Sequence, residues 1–347
     1  MNFIRHRHLF VAIGATVMLV SIGLLAFVGL RLGIDFTGGA LTEVVYVEAP
    51  EQSEVESAVE ALDWGGISVR ETEGTDDREG YMIRTRDLSD PERQELTELV
   101  LALGVDGEIT RFTSIGPVIG EELAEKAKWA IAGVAIVIIL YVAVAFLRVG
   151  YPVRSWVYGG ITIIALLHDV LVPAALMTIL GITMGAEVDV LFVTAILAVL
   201  GYSVNDTIVV FDRVRENLHK HRQAHEREYK DVTGVVQKET TYTLTKPFSE
   251  IVNTAVSQVI TRSINTSLTT LLALGSLYFL GGVTTQTFAL ILMTGVIAGT
   301  YSSLFLASPL LVLYTQYVAK LPVDELPDAD AEALKKKLAA ESGKKTA

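Results

Sequence analysis

Residues 190–211 read VLFVTAILAVLGYSVNDTIVVF, 22 residues with one side chain charged at neutral pH, Asp206. As a helix, at 1.5 Å per residue, this stretch reaches about 33 Å, enough to cross a bilayer core. The same pattern recurs to either side. Residues 9–30 form a run of 22 without a charge, preceded by Arg5, His6, Arg7 and His8. That run is too long for the apolar part of a signal peptide and no A-x-A-like site follows, so it reads as a retained helix. Residues 129–147 form a second run, and residues 155–186 a third, charged only at Asp169 beside His168. Residues 263–319 contain no Asp, Glu, Lys or Arg in 57 positions. As one helix they would measure about 85 Å, far beyond a single crossing. Gly281-Gly282-Val283-Thr284-Thr285-Gln286 divides them, which predicts six spans in all.

The composition agrees with that reading. Hydrophobic residues make up 51% and charged ones 20%, and the mean hydropathy is +0.45, high for a soluble domain. There is no cysteine, which excludes disulfides, thiol catalysis, Cys-ligated zinc and iron–sulfur clusters. The net charge of −12 argues against nucleic acid as the main partner.

Lys and Arg in short loops orient the spans. Arg5 and Arg7, then Arg148 and Arg154, then Arg213, Arg215, Lys220 and Arg222, then Lys335 to Lys337 all fall on one side of a six-span chain. The opposite loops hold Glu187 and Asp189 or no charge. Both termini are therefore expected in the cytoplasm, with residues 31–128 outside as an ectodomain. The expected plan is residues 1–30 for the N-terminus and span 1, 31–128 for the ectodomain, and 129–319 for spans 2–6. A cytoplasmic loop covers 212–250, and 320–347 form a tail expected to be disordered.

In the ectodomain, residues 41–48, 67–73, 81–86 and 108–115 read as strands. Residues 50–62 read as a helix with Pro50 at its start, and residues 74–77 as a turn. Ser89 or Asp90 caps a second helix reaching Leu103, with Pro91 at its first position and Leu96, Leu99, Val100 and Leu103 on its apolar face. The order β-α-β-β-α-β predicts an α+β ferredoxin-like domain. In the cytoplasmic loop, His219, His221 and His225 suit a solvated helical face better than a metal site.

An ionisable group inside a bilayer costs roughly 2.5–3.5 kcal/mol on insertion scales, so each marks a candidate site. Asp206 is embedded in Gly201-Tyr202-Ser203-Val204-Asn205-Asp206-Thr207, about 8–9 Å inside the cytoplasmic edge of span 4. Arg262 stands at the expected start of span 5, at a depth where it could pair with Asp206. A fixed salt bridge between two helices is one reading; a carboxyl that gains and loses a proton, with Arg262 compensating, is the other. His168 and Asp169 lie well inside span 3 and could be an interhelical polar pair. Gly33-Ile34-Asp35-Phe36-Thr37-Gly38-Gly39 follows span 1 and reads as a tight turn into the ectodomain. Gly295-Val296-Ile297-Ala298-Gly299 is a small-xxx-small packing signal.

With these motifs the chain resembles the SecF family of bacterial protein-export membrane proteins, small relatives of the RND transporters. The resemblance rests on the Gly33–Gly39 stretch, on His168-Asp169, on the run from Gly201 to Asn217 and on Arg262-Ser263-Ile264-Asn265-Thr266-Ser267. It implies a partner of the SecD kind, association with the SecYEG channel, YajC and YidC, exported preproteins as clients, and use of the proton gradient late in translocation. It implies Asp206 and Arg262 as the proton pathway, with Asn205, Ser203, His168 and Asp169 as supporting groups, and Asp35, Phe36, Thr37, Gly38 and Gly39 as the junction motif. No enzyme activity, cofactor, metal or nucleic-acid partner is expected, and no Gly-x-x-x-x-Gly-Lys-Ser/Thr loop is present.

Three rivals remain at this level. A half-size exporter of small molecules would need a large apolar pocket, which one short ectodomain does not suggest. An intramembrane aspartyl protease would need two carboxylates at one depth sharing a proton, whereas Asp169 reads as nearer mid-membrane than Asp206. A passive scaffold would use its intramembrane charges only for packing.

Overall fold

The structure, a computed structural model, describes residues 3–73, 78–145, 152–230 and 236–326. The turn expected at 74–77, Arg148 and the tail beyond 326 lie outside the described residues. In chain order the elements are a 3-10 turn (Ile4–His6), α1 (Arg7–Phe27), the single-turn α2 (Ile34–Thr37), β1 (Gly39–Val45), α3 (Gln52–Glu60), β2 (Ser68–Glu73), β3 (Glu79–Thr85), α4 (Asp90–Leu103) and β4 (Glu108–Ile115). Then follow α5 (Pro117–Ala145), α6 (Ser155–Thr183), α7 (Val190–His221), β5 (Arg222–Lys230), β6 (Val236–Leu244), α8 (Phe248–Leu280) and α9 (Val283–Tyr301). A π-helical turn (Ser302–Ala307) joins α9 to α10 (Ser308–Tyr317).

Six helices among the described residues are long and apolar enough to cross a membrane: α1 with its leading turn, α5, α6, α7, α8, and the continuous α9–α10. The chain is a multi-pass membrane protein. α6, α7 and α9–α10 form the centre of the bundle, while α1, α5 and α8 turn most of their surface outward. Side chains such as Tyr158, Ala165, Ile196, Phe211, Ile291 and Leu311 fill the centre. The glycines of the small-xxx-small segment sit where α9 meets α7: a Cβ on Gly295 would overlap Val199, and one on Gly299 would stand 3.3 Å from the Ser203 side chain. Close approach of this kind places α7 hydroxyls against α9.

Two spans are longer than their apolar runs. α7 continues ten residues past Phe211, and α8 starts at Phe248 rather than near Ser263. Charge limits the part of a helix that lies in hydrocarbon, not the helix itself. Past Phe211 the helix is laced by Arg213–Glu216 at 2.5 Å and Lys220–Glu216 at 2.7 Å, pairs one turn apart that support a solvated helix. Arg262 is consequently mid-helix in α8, not at its start.

The expectation of one helical face for the three histidines is corrected. His219 and His221 end α7, but His225 lies on β5 opposite Thr241, in an antiparallel hairpin with Arg222 opposite Leu244. The start of the tail also differs from expectation, because residues 321–326 fold back on the bundle. Ser249 N donates to Val323 O at 2.9 Å, and Arg7 donates to both Asp324 oxygens, at 2.7 and 3.1 Å. The Arg7 guanidinium holds the Asp324 carboxyl below its ordinary value.

Between α1 and α5 a four-stranded antiparallel sheet has the order β2-β3-β1-β4. Ala40 pairs with Thr85 of β3 and Ser114 of β4. Val44, Val69, Tyr81 and Ile83 share one core with Val55 and Val59 of α3 and Leu96 and Val100 of α4. Leu101 and Leu103 flank that core, whereas Leu99, expected on the apolar face, is not part of it. Leu99 stands one helical turn from Leu96 and Leu103, on the edge of the stripe away from Leu101. Ser89 caps α4: its backbone N–H donates to Glu92 at 2.9 Å, and Pro91 takes the second helical position. Tyr46 Oη donates to Val100 O at 2.7 Å, and burial beside Tyr81 pushes its phenol up to about 12.

Candidate functional site

The helical period puts Ser203, Asp206, Thr207 and Val210 on one face of α7, and all four are buried in the bundle. Ser263 of α8 donates its hydroxyl hydrogen to the Asp206 carboxylate. Asn205, Asp206, Val209, Val210, Val259, Arg262, Ser263 and Thr266 line a cavity of about 60 Å³ between α7 and α8, room for a few waters. Asn205 and Arg262 are exposed at its rim. The expected Asp206–Arg262 pairing is corrected: the two share the cavity but make no ion pair. The hydroxyl one residue further along α8 points into the bundle and takes that place, while Arg262 faces outward.

A second polar centre lies one turn back along α7. Asp169, fully buried on α6, accepts from Ser203 of α7 and from Ser302 of the π-turn, the latter at 2.6 Å. His168 Nδ1 is 2.8 Å from Asp169 Oδ1. The expected polar pair does bond between helices, through Asp169, while His168 bonds its own neighbour. Beside these, Tyr202 Oη donates to Ser267 Oγ at 3.2 Å, and Ser267 Oγ is 2.6 Å from Thr300 Oγ1. Hydroxyls therefore join α6, α7, α8 and α9–α10 across the middle of the bundle. No hydrogen bond joins Asp169 to Asp206, so a shared-proton carboxyl pair is not formed.

Sequence reasoning did not single out Ser263, Ser302 or Thr300. Ser263 lies within the Arg262 motif, where the arginine charge is the stronger signal in the sequence. The Ser302-Ser303 pair inside an apolar span is a sequence signal for a local departure from regular helix.

The junction motif touches both the helix bundle and the sheet domain. Asp35 Oδ2 accepts from Val190 N at 2.9 Å, capping the N-terminus of α7. Phe36 inserts into the core of the bundle. Thr37 Oγ1 accepts from Arg84 of β3 at 2.8 Å. Gly38 and Gly39 have φ of +73° and +131°, where a side chain is strained. A Cβ on Gly38 would stand 2.7 Å from Pro117 Cα, and one on Gly39 2.7 Å from Thr85 O. Asp189, the N-cap residue of α7, accepts from Phe192 N at 2.7 Å. Burial, with Asp35 nearby, pushes its carboxyl above the ordinary value.

Six spans, a small sheet domain after the first, a double-glycine junction and polar centres on the middle helices make this an integral-membrane protein with a folded domain inserted between its first two spans. A family model described as "Protein export membrane protein SecD/SecF, C-terminal" matches residues 95–233 and 231–317, and the "SecD/SecF GG Motif" matches residues 23–48. The chain belongs to the SecD/SecF family. It is 37% identical to protein translocase subunit SecF of Thermobaculum terrenum, over 90% of this chain and 93% of that one. It is 34% identical to the SecF subunit of Sebaldella termitidis, over 91% and 92%. The crystal structure of SecDF, a translocon-associated membrane protein from Thermus thermophilus, superposes with a TM-score of 0.74 at 30% identity. That match covers 91% of this chain but 39% of the SecDF chain. The chain serves Sec protein export in the inner membrane as a non-enzymatic translocase subunit.

Proposed function

We propose that this subunit couples the proton gradient to export through Asp206. The observation that supports this reading most is a buried carboxyl on a membrane-spanning helix, hydrogen-bonded to a serine and bordering a polar cavity. Burial in a bilayer opposes the ionised carboxylate, while Ser263 and the nearby Arg262 favour it, so a small shift of α7 against α8 changes proton occupancy. Ser203, Asn205, His168 and Asp169 support the pathway, with Asp169 as a second polar centre behind it. One proton crossing 100 mV delivers roughly 2.3 kcal/mol, about a fifty-fold shift in a two-state equilibrium.

Both termini are cytoplasmic in this reading, with the sheet domain outside, on the strength of the Lys and Arg distribution. The element order and the strand order β2-β3-β1-β4 support a ferredoxin-like ectodomain. Residues 31–128 form that domain and its tethers, and 129–319 the remaining spans. A SecD-type chain is the partner. SecDF homologues support it, and so does the outward-facing Arg262, since an arginine on a membrane-spanning helix seeks cover from another chain. SecYEG, YajC and YidC as further partners, and preproteins as clients, rest on the family resemblance.

The passive scaffold is the reading to exclude, and Asp206→Asn does so. A packing role tolerates a neutral side chain of the same size that still accepts from Ser263. The proton role predicts a chain that assembles but shows no gradient-stimulated export; full stimulation would leave the scaffold standing.

A further inference from the structure

A cluster away from the polar centres ties the sheet domain to the bundle. Glu187, in the turn between α6 and α7, accepts from Arg84 Nη1 of β3 at 2.8 Å. Arg70 Nη2 of β2 is 3.3 Å from the same oxygen. All three side chains are largely shielded, at 18% exposure for Glu187 and 25% for each arginine. Arg84 also donates to Leu32 O at 3.3 Å and to Thr37 Oγ1. Gly185, with φ of +67°, lets the Arg70 guanidinium lie across the turn, since a Cβ there would come within 2.5 Å of it.

The backbone repeats the connection. Gly33 N donates to Val188 O at 2.9 Å and Val188 N to Arg31 O at 2.8 Å, and Asp35 caps α7 two residues further on. Ion pairs, backbone bonds and a helix cap thus converge on residues 185–190. Arginines from two neighbouring strands converge on one oxygen of a shielded carboxylate, and charge-assisted contacts of this kind are stronger than neutral hydrogen bonds. From Val190 the stiff α7 runs about 24 Å to Asp206.

We propose that Glu187 is a positioning residue for export: with Arg70 and Arg84 it braces the sheet domain on the N-terminal end of α7, so that domain and helix move as one body. The consequence for export rests on the reading of Asp206 as the gradient-responsive group. The brace itself does not.

The chain has no cysteine, so introduced thiols are unique. Spin labels at Glu98→Cys and Met184→Cys, both exposed positions, report the domain against the bundle in the full chain in lipid vesicles. The brace gives one narrow distance distribution, broadened by Glu187→Ala. In inverted vesicles Glu187→Ala retains ATP-driven export and loses the gradient-stimulated part. Leu32 and Val188 are bridge partners, so oxidised Leu32→Cys/Val188→Cys locks the brace shut and keeps gradient stimulation. An unchanged distribution in Glu187→Ala, persistent stimulation despite a broadened one, or a block on oxidation relieved by reductant would each overturn the proposal. Full stimulation in Asp206→Asn with a narrow distribution would remove the reading of Asp206 and leave the brace standing.

Discussion

Ser263 donates its hydroxyl hydrogen to Asp206, and this bond closes α8 on α7 at the inner wall of the polar cavity. A hydroxyl is neutral and small, so the contact survives both a charged and a protonated carboxyl, as a fixed ion pair would not.

The first prediction concerns that bond. Ser263→Ala removes a hydrogen bond to a buried acidic group, a loss of about 1–3 kcal/mol. The purified variant is expected to unfold at lower temperature in detergent and to show weaker gradient-stimulated export. Ser263→Thr, which keeps the hydroxyl, is expected to recover most of both.

The second concerns the double glycine. Gly38→Ala puts a methyl group against Pro117 and Gly39→Ala puts one against Thr85 O, each at positive φ. Backbone strain alone costs on the order of 1–3 kcal/mol, and both clashes are with backbone that cannot rotate away. Both variants are expected to accumulate poorly and to resist proteolysis less. Gly133→Ala on α5, with open space around it, is the control expected to behave as wild type.

The spans were legible because hydrocarbon imposes one strong rule, a run of some twenty uncharged residues, and 190–211 obeys it with a single exception. Helix ends were not legible by the same rule, so Arg262 was placed at a helix start when it is mid-helix in α8. Asp206 is legible from its cost in the membrane, but its partner is not. Charge complementarity suggests Arg262, while the helical period turns Ser263 inward. The hairpin of β5 and β6 escaped because Arg222–Lys230 is nearly all polar and shows no apolar alternation. Glu187 was visible only as a loop charge, since its arginines come from strands a hundred residues away in sequence.

The third prediction uses pH. Hydrogen bonds from Arg86, and from the Ser89 side chain and backbone, hold the Glu92 carboxyl down to about 2, against an ordinary 4.5. A carboxyl lowered on folding adds stability that is complete above its unfolded value and is lost as pH falls through the folded one. In the isolated segment 40–116, denaturation followed by circular dichroism is expected to favour wild type over Glu92→Gln above pH 4.5. The advantage shrinks below that pH and disappears near pH 2. An advantage independent of pH would mean that the capping box acts through shape alone.

The most direct measurement is export into inverted vesicles supplied with ATP, with and without a proton gradient, for wild type and Asp206→Asn. Asparagine keeps the size of the side chain and a hydrogen-bond acceptor for Ser263, but cannot bind and release a proton. Equal assembly and equal export without the gradient are expected, with stimulation by the gradient in wild type only. Full stimulation of the Asp206→Asn chain would contradict the proton role of Asp206.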